Sequence, residues 1–479
     1  MQSSRRLLVT LALVPAACGG DSSSSGQSCS GGTCPPPSSL CVTPPLAASA
    51  AAPPTQILAL GTKRVGDSVS FSVPAGIASL TIIEQVVSAP PTAAFNEGTV
   101  PNEAAPLTLT DPAGTVLFDQ FLPPADPTRA PVYLAAASPG TGTLTVPSST
   151  AGLELAASGL PQGTWSLVVS DLAYVCTLAA NCAQGGGSNA GTYGLTILLK
   201  PSPGAAPARI DVAINLATGD ATAITAASAG SDPDLQRMVS SLGVLLARAG
   251  LTLGRTTYVD VPPAVASRLA AGVHIDDNGA CGDLSRLFAT APAGKQLNVF
   301  LVSTFVSSAA PSGTTIVGID SAIPGPATIS PTTQSGVAVS VVNLRAAREN
   351  CGGAVALDCT PDGSGGASCC GADVTAFFVA HELGHFLGLY HVTEREGVRF
   401  DPLEDTPACP CQSCAPDPRT CASAQPAPAS PHLMSIAECR ASASCGGGDN
   451  LMFWVFDDGA VGTVTPEQQR LVSGSPAVY

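Results

Sequence analysis

The residues best equipped for chemistry lie together in HELGHFLGLYH, His381 to His391. On an α-helix His381 and His385 stand about 40° apart round the axis and one turn along it, so both imidazoles can face a single ion. Glu382 lies beside them, placed to take a proton from an attacking water instead of ligating the metal. Gly388 can adopt the left-handed conformation that ends a helix and turns the chain, which can bring His391 to a third ligand position. Three neutral imidazoles leave a fourth place for water, the arrangement of a catalytic Zn²⁺ site. A structural zinc site normally fills all four places and has no need of Glu382. The chain has 5 histidines, and three of them sit in this stretch, so it is not drawn from a His-rich background. His274 and His432 have no spacing that implicates them.

Such a helix needs a sheet to lie under. After Pro201 to Ala208 the pattern becomes mixed α and β. IDVAINL reads as a strand and DPDLQRMVSSLGVLLARAG as an amphipathic helix capped by Asp232 with Pro233 next. Strands are expected at Thr256 to Val261, Leu297 to Val302, Thr314 to Ile319 and Val337 to Val341, with a helical insert around Asp283 to Ala289. The motif helix should start near Asp373. This order is that of a small α/β subdomain with a long helix under its sheet. Residues 56–200 differ: SVSFSV, LTIIEQVV, WSLVVSDL and TYGLTILL are separated by Pro/Gly turns, which indicates an antiparallel β-sandwich. Residues 18–55 are Ser/Gly/Pro-rich without apolar period and read as a tether.

HExxHxxGxxH is the metzincin signature, and residues 209–479 resemble the pappalysin-type metzincins. DPLEDTP, Asp401 to Pro407, is similar to their acidic element after the zinc motif, and TPEQQRLVSGSP, Thr465 to Pro476, to a later helix. The resemblance implies an α/β zincin domain over 208–479, zinc held by His381, His385 and His391, and Glu382 as general base. It also implies a methionine beneath the metal, for which Met452 in DNLMFW is the candidate and Met434 the competitor. Calcium near the acidic element would be held by Asp401, Glu404 and Asp405, which equally suit a solvated loop. Where relatives often place a tyrosine, this chain has Trp454, whose indole donates but cannot ionise. Zincins bind substrate as an added strand on a sheet edge. The expected edge is Gly313, Thr314, Thr315, Ile316, Val317 and Gly318, continuing to Asp320. The sandwich resembles the jelly-roll accessory domains found beside secreted peptidases, where a structural or targeting role is expected.

Arg5, Arg6 and the apolar run Leu7 to Val14 read as an export signal over 1–17. Ala16-Ala17-Cys18 is similar to a lipoprotein signal in which Cys18 is lipidated, although Pro15 departs from it; cleavage and release is the alternative. That anchor is the only membrane contact expected. The 17 cysteines become an even 16 without Cys18, which suits disulfides in an oxidising compartment. Cys176 is expected to clamp a sandwich loop with Cys182, Cys281 to pair at long range, and Cys409 to Cys421 to form disulfides or a zinc-thiolate cluster. A net charge of −15 leaves no basic surface for a phosphate backbone, so nucleic acid is excluded as a partner.

These readings combine into an exported zinc endopeptidase acting on protein or peptide substrates. The rivals are a cell-surface adhesion lipoprotein with a degenerate zinc domain and a structural surface protein.

Overall fold

The computed structural model describes residues 55–479 apart from 91, 97, 123–125, 139, 180–181, 183–190, 203–207, 277–280, 308–314, 347–358, 362–366, 394–400, 408–435, 442–445 and 457–460. The expected signal, the tether with Cys18, His432, Met434 and the cluster Cys409 to Cys421 lie outside the described residues. Among the described residues no helix is long and apolar enough to cross a membrane.

Two antiparallel four-stranded sheets make up the first half. Their strands are β1 (Gln56–Arg64), β2 (Ser68–Val73), β3 (Ile77–Ser88), β4 (Thr108–Thr110), β5 (Val116–Asp119), β6 (Thr141–Val146), β7 (Gly163–Val168) and β8 (Thr192–Pro201). One sheet has the order β1-β8-β3-β6 and the other β2-β7-β4-β5. Alternate residues of these strands, among them Leu80, Ile82, Leu144, Trp165, Leu167, Leu195 and Ile197, form one core between the sheets, as period-two patterning requires. Cys176 and Cys182 form the expected disulfide, and Cys281 and Cys370 each take part in a disulfide as well.

The second half is built on a five-stranded sheet of β9 (Ala208–Ala217), β10 (Leu251–Asp260), β11 (Leu297–Val302), β12 (Gly318–Asp320) and β13 (Val337–Ser340). Its order is β10-β9-β11-β13-β12. The first four of that order run parallel, and β12 lies antiparallel to β13 at the edge. The strand forecasts hold at Leu297–Val302, to within a residue at Val337, and with longer ends on β9 and β10. The edge differs: Gly313 and Thr314 lie outside the described residues, and Thr315, Ile316 and Val317 precede the strand instead of forming it. A ladder contact reaches back there, from the Ser340 N–H to the Val317 carbonyl at 2.9 Å.

Helices α1 (Pro233–Arg248) and α2 (Gly371–Phe386) pack side by side under this sheet. Asp232 caps α1 by accepting from the Leu235 N–H at 3.0 Å, as its sequence position predicts. Every side chain of α2 is buried, which explains why FFVAHELGHF shows no polar face. The first turn of α2 is pinned to α1 by a bidentate pair, Arg237 Nε to Asp373 Oδ1 at 3.0 Å and Nη2 to Oδ2 at 2.8 Å. Such a fork fixes direction as well as distance, so α2 is held at the end remote from its histidines.

The sandwich is seated on this α/β unit through buried polar contacts. Lys200 Nζ donates to the carbonyls of Ser475 and Val478, both at 2.8 Å, and to that of Ser473. Ser473 lies in the last turn of helix α3 (Pro466–Gly474) and the other two follow it, so the ammonium also sits at the negative end of a helix. Leu153 from the sandwich segment lies within the α/β core.

Candidate metal centre

Helix α2 carries His381, Glu382 and His385 in its last two turns, and it stops through a closed carboxyl-terminal motif. The Gly388 N–H donates to the His385 carbonyl at 2.8 Å and the Leu389 N–H to the Gly384 carbonyl at 2.9 Å. Gly388 has φ +109°, where a Cβ would be strained. The turn returns the chain toward the helix, and His391 meets the other two histidines.

The three Nε2 atoms are 3.2 Å (His381 to His391), 3.2 Å (His385 to His381) and 3.1 Å (His385 to His391) apart. His381 Nδ1 lies 2.7 Å from the Leu451 carbonyl and His385 Nδ1 lies 2.7 Å from the Leu389 carbonyl. A carbonyl only accepts, so each Nδ1 carries the proton and each facing Nε2 presents a lone pair. Burial pushes the His385 pKa well below its usual value, helped by the neighbouring charges of His391 and then His381. Converging lone pairs without protons are stable around a cation. Tetrahedral Zn–N bonds of about 2.0–2.1 Å require N···N separations of about 3.3–3.4 Å, within a few tenths of an ångström of those seen. The donor set therefore fits a divalent metal, and the backbone carbonyls behind it are the outer contacts such ligands use. Among the described residues this is the one group of three metal-capable side chains that converges.

Glu382 is buried and turns to the sheet edge. A Cβ built on Gly318 of β12 would fall 2.3 Å from Glu382 Oε1 and 2.8 Å from Cδ and Cγ. The carboxylate therefore rests against the bare backbone of the edge strand. Gly318 allows an approach that any other residue would block.

Met452 is fully buried beneath the same helix. A Cβ on Gly384 would lie 2.5 Å from Met452 Sδ, so the thioether packs into the notch left between the two ligand-bearing turns. The segment around it is held by its own hydrogen bonds. Met452 N–H donates to Asn450 Oδ1 at 2.8 Å, and the Val392 N–H donates to the Met452 carbonyl at 3.0 Å. Trp454 is buried in the α/β core.

The acidic residues expected to share a calcium ion do not converge. Asp401 is buried and accepts from Thr406 Oγ1; burial raises its pKa to about 7. Asp405 accepts from Thr465 Oγ1 at 2.7 Å and from the Glu467 N–H at 2.8 Å, capping α3. Glu404 reaches the other way, to Arg129 Nη2 of the sandwich at 3.2 Å. Helix capping holds Asp405 and interface pairing holds Glu404, while Asp401 keeps one buried oxygen, Oδ2, without a hydrogen-bond partner.

Gly384 and the Leu389 and Leu451 carbonyls were not singled out from sequence, and Gly318 was expected as part of the substrate edge but not as the residue against which Glu382 rests. Backbone carbonyls leave no sequence signal. The glycines do, but only beside a partner known to press on them. The sandwich also reaches this region, where Tyr133 packs edge-on against Tyr390 with ring centroids 5.1 Å apart.

No family model matches the chain, and no curated protein matches it. A family two carbohydrate esterase from Cellvibrio japonicus is among its structural neighbours, at 9% identity over 53% of this chain and 68% of that one, with a TM-score of 0.10. At that score the likeness carries no argument.

Proposed function

We propose that the chain is an exported zinc-dependent endopeptidase with a metzincin-type catalytic domain, most like the pappalysins. The observation that carries this reading is the convergence of three imidazole Nε2 atoms beside a carboxylate pressed on the edge strand of the sheet. The antiparallel edge strand, the buried helix under the sheet and Met452 beneath the histidines support the zincin assignment. A zinc ion bound by His381, His385 and His391 would supply Lewis-acid polarisation of a peptide carbonyl and make water acidic enough to deprotonate near neutral pH.

The protein's own groups do the rest. Glu382 takes the proton of the attacking water and returns it to the departing amine. Its carboxylate needs only a short swing, because Gly318 lets it lie along the strand where the substrate backbone would pair. β12 is paired on one side by β13, and among the described residues its outer side carries no strand, so an extended peptide can add there. Backbone pairing orients the scissile bond above Glu382. The export signal, the even cysteine count and Cys18 support a place outside the reducing compartment, anchored by lipid or released.

Glu382→Ala tests the reading. Hydrolysis of a denatured protein should disappear while bound zinc, measured on the same preparation, stays at the wild-type level. Equal activity in the variant, or none in the mature wild type against a broad peptide library, would sink it.

A further inference from the structure

One sandwich sheet turns its outer face toward the metal centre. Thr143 of β6 stands directly opposite Ile83 of β3, and directly opposed residues of an antiparallel pair share a face. It is the face away from the sandwich core, which takes the alternate residues Ile82 and Leu144. On that outer face Ile83 and Leu198 cluster with Ile329, and Thr143 Oγ1 donates to the Pro324 carbonyl. Ile329 and Pro324 both belong to the segment between β12 and β13. The sandwich is therefore packed on the chain that continues the edge strand.

This segment carries the contact onward to the turn that presents His391. The Gly325 N–H donates to the Phe386 carbonyl at 3.0 Å and Tyr390 Oη to the Ile323 carbonyl at 3.4 Å. A Cβ on Gly325 would fall 2.1 Å from the Phe386 ring, so the two chains lie in close contact. A second contact comes straight from the sandwich, where the Tyr133 ring meets that of Tyr390 edge-on. Tyr133 is itself tied to the chain just past β6, its N–H donating to Ser148 Oγ at 2.9 Å. Tyr390 stands between two parts of the metal centre. The Leu389 carbonyl, 2.7 Å from His385 Nδ1, precedes it, and His391 follows it. A shift of this one residue would move one imidazole and the outer contact of another.

We propose that Tyr133 and Thr143 are positioning residues of the metal centre: from the sandwich they hold the Tyr390 turn and residues 323–325 behind it, so that the sandwich shares in keeping the three imidazoles converged. The proposal rests on the metal reading given above. It is tested on the full chain by chelator competition for zinc, with the melting temperature of each metal-free protein, for the wild type, Tyr133→Ala, Tyr133→Phe, Thr143→Val and Lys200→Met. Changes that act on a site through its neighbours shift its affinity by about 2- to 30-fold, and Tyr133→Ala and Thr143→Val should each weaken zinc binding by that much. Tyr133→Phe keeps the ring and should match the wild type. Lys200→Met breaks the same interface at the carbonyls of Ser473, Ser475 and Val478, outside the histidine turn; it should lower the metal-free melting temperature and leave zinc affinity at the wild-type level. Wild-type affinity in either Tyr133→Ala or Thr143→Val overturns the proposal, and Thr143→Val decides alone if Tyr133→Ala does not fold. A loss in Lys200→Met equal to theirs also overturns it, as the mark of general loosening between the two halves. Failure of the wild type to take up zinc overturns the metal reading itself, an outcome distinct from equal affinities.

Discussion

Gly318→Ala offers the sharpest perturbation of the site, because it adds one methyl group and no charge. The new Cβ would lie 2.3 Å from Glu382 Oε1 and 2.8 Å from its Cδ and Cγ. Relief to ordinary contact requires the carboxylate to move by about 1 Å, and a misplacement of that size typically costs about 10²-fold in rate. That corresponds to about 2.7 kcal/mol of transition-state stabilisation. The fold should tolerate the change, since Gly318 is not among the positive-φ glycines, and Gly to Ala at a compatible position tends to stabilise by about 0.4–1 kcal/mol. The assay is kcat/KM on a quenched peptide, with bound zinc and melting temperature measured on the same samples. Activity within threefold of wild type would refute the role given to the Glu382 carboxylate. Loss of zinc together with activity would refute the claim that the glycine serves Glu382 and not the ligands.

Two further outcomes test the packing and the electrostatics. Gly384→Ala would ordinarily strengthen a helix by about 1 kcal/mol; against Met452 Sδ it should instead destabilise by about 1–3 kcal/mol, read as a lowered denaturant midpoint and relieved in part by a smaller residue at 452. Burial raises Glu103 to about 8, so the folded protein holds a proton that the unfolded chain releases above the ordinary carboxylate range. Its contribution is therefore full at acidic pH and falls as pH rises through about 8. Glu103→Gln should flatten the decline in stability between pH 5 and 8, by at most about 1.4 kcal/mol per pH unit; an unchanged slope would show that Glu103 does not titrate in that window.

Local spacing was enough to read part of this protein. The i, i+4 histidines, the adjacent glutamate and the glycine that ends the helix are all set by helix geometry, and so is the Asp232 cap. The sandwich strands and most of the central sheet followed from period-two alternation, because their side chains face layers that the pattern itself defines. The edge strand was misjudged at its start: TTIVG has the composition of a strand, but a ladder needs a partner, and β13 supplies one only from Gly318.

What lies across the chain was decided by tertiary structure. Asp401, Glu404 and Asp405 look like one acidic cluster, yet Glu404 pairs with Arg129 and Asp405 with Thr465, because a carboxylate goes to the nearest donor and not to its neighbour in sequence. The carbonyls behind His381 and His385 belong to Leu451 and Leu389, and main-chain acceptors are the same at every residue. Only packing brings Gly318 to Glu382 and Gly384 to Met452. The sequence by itself determined which atoms could hold a metal and move a proton; the fold decided what presses on them, and contact between segments far apart has no period to reveal it.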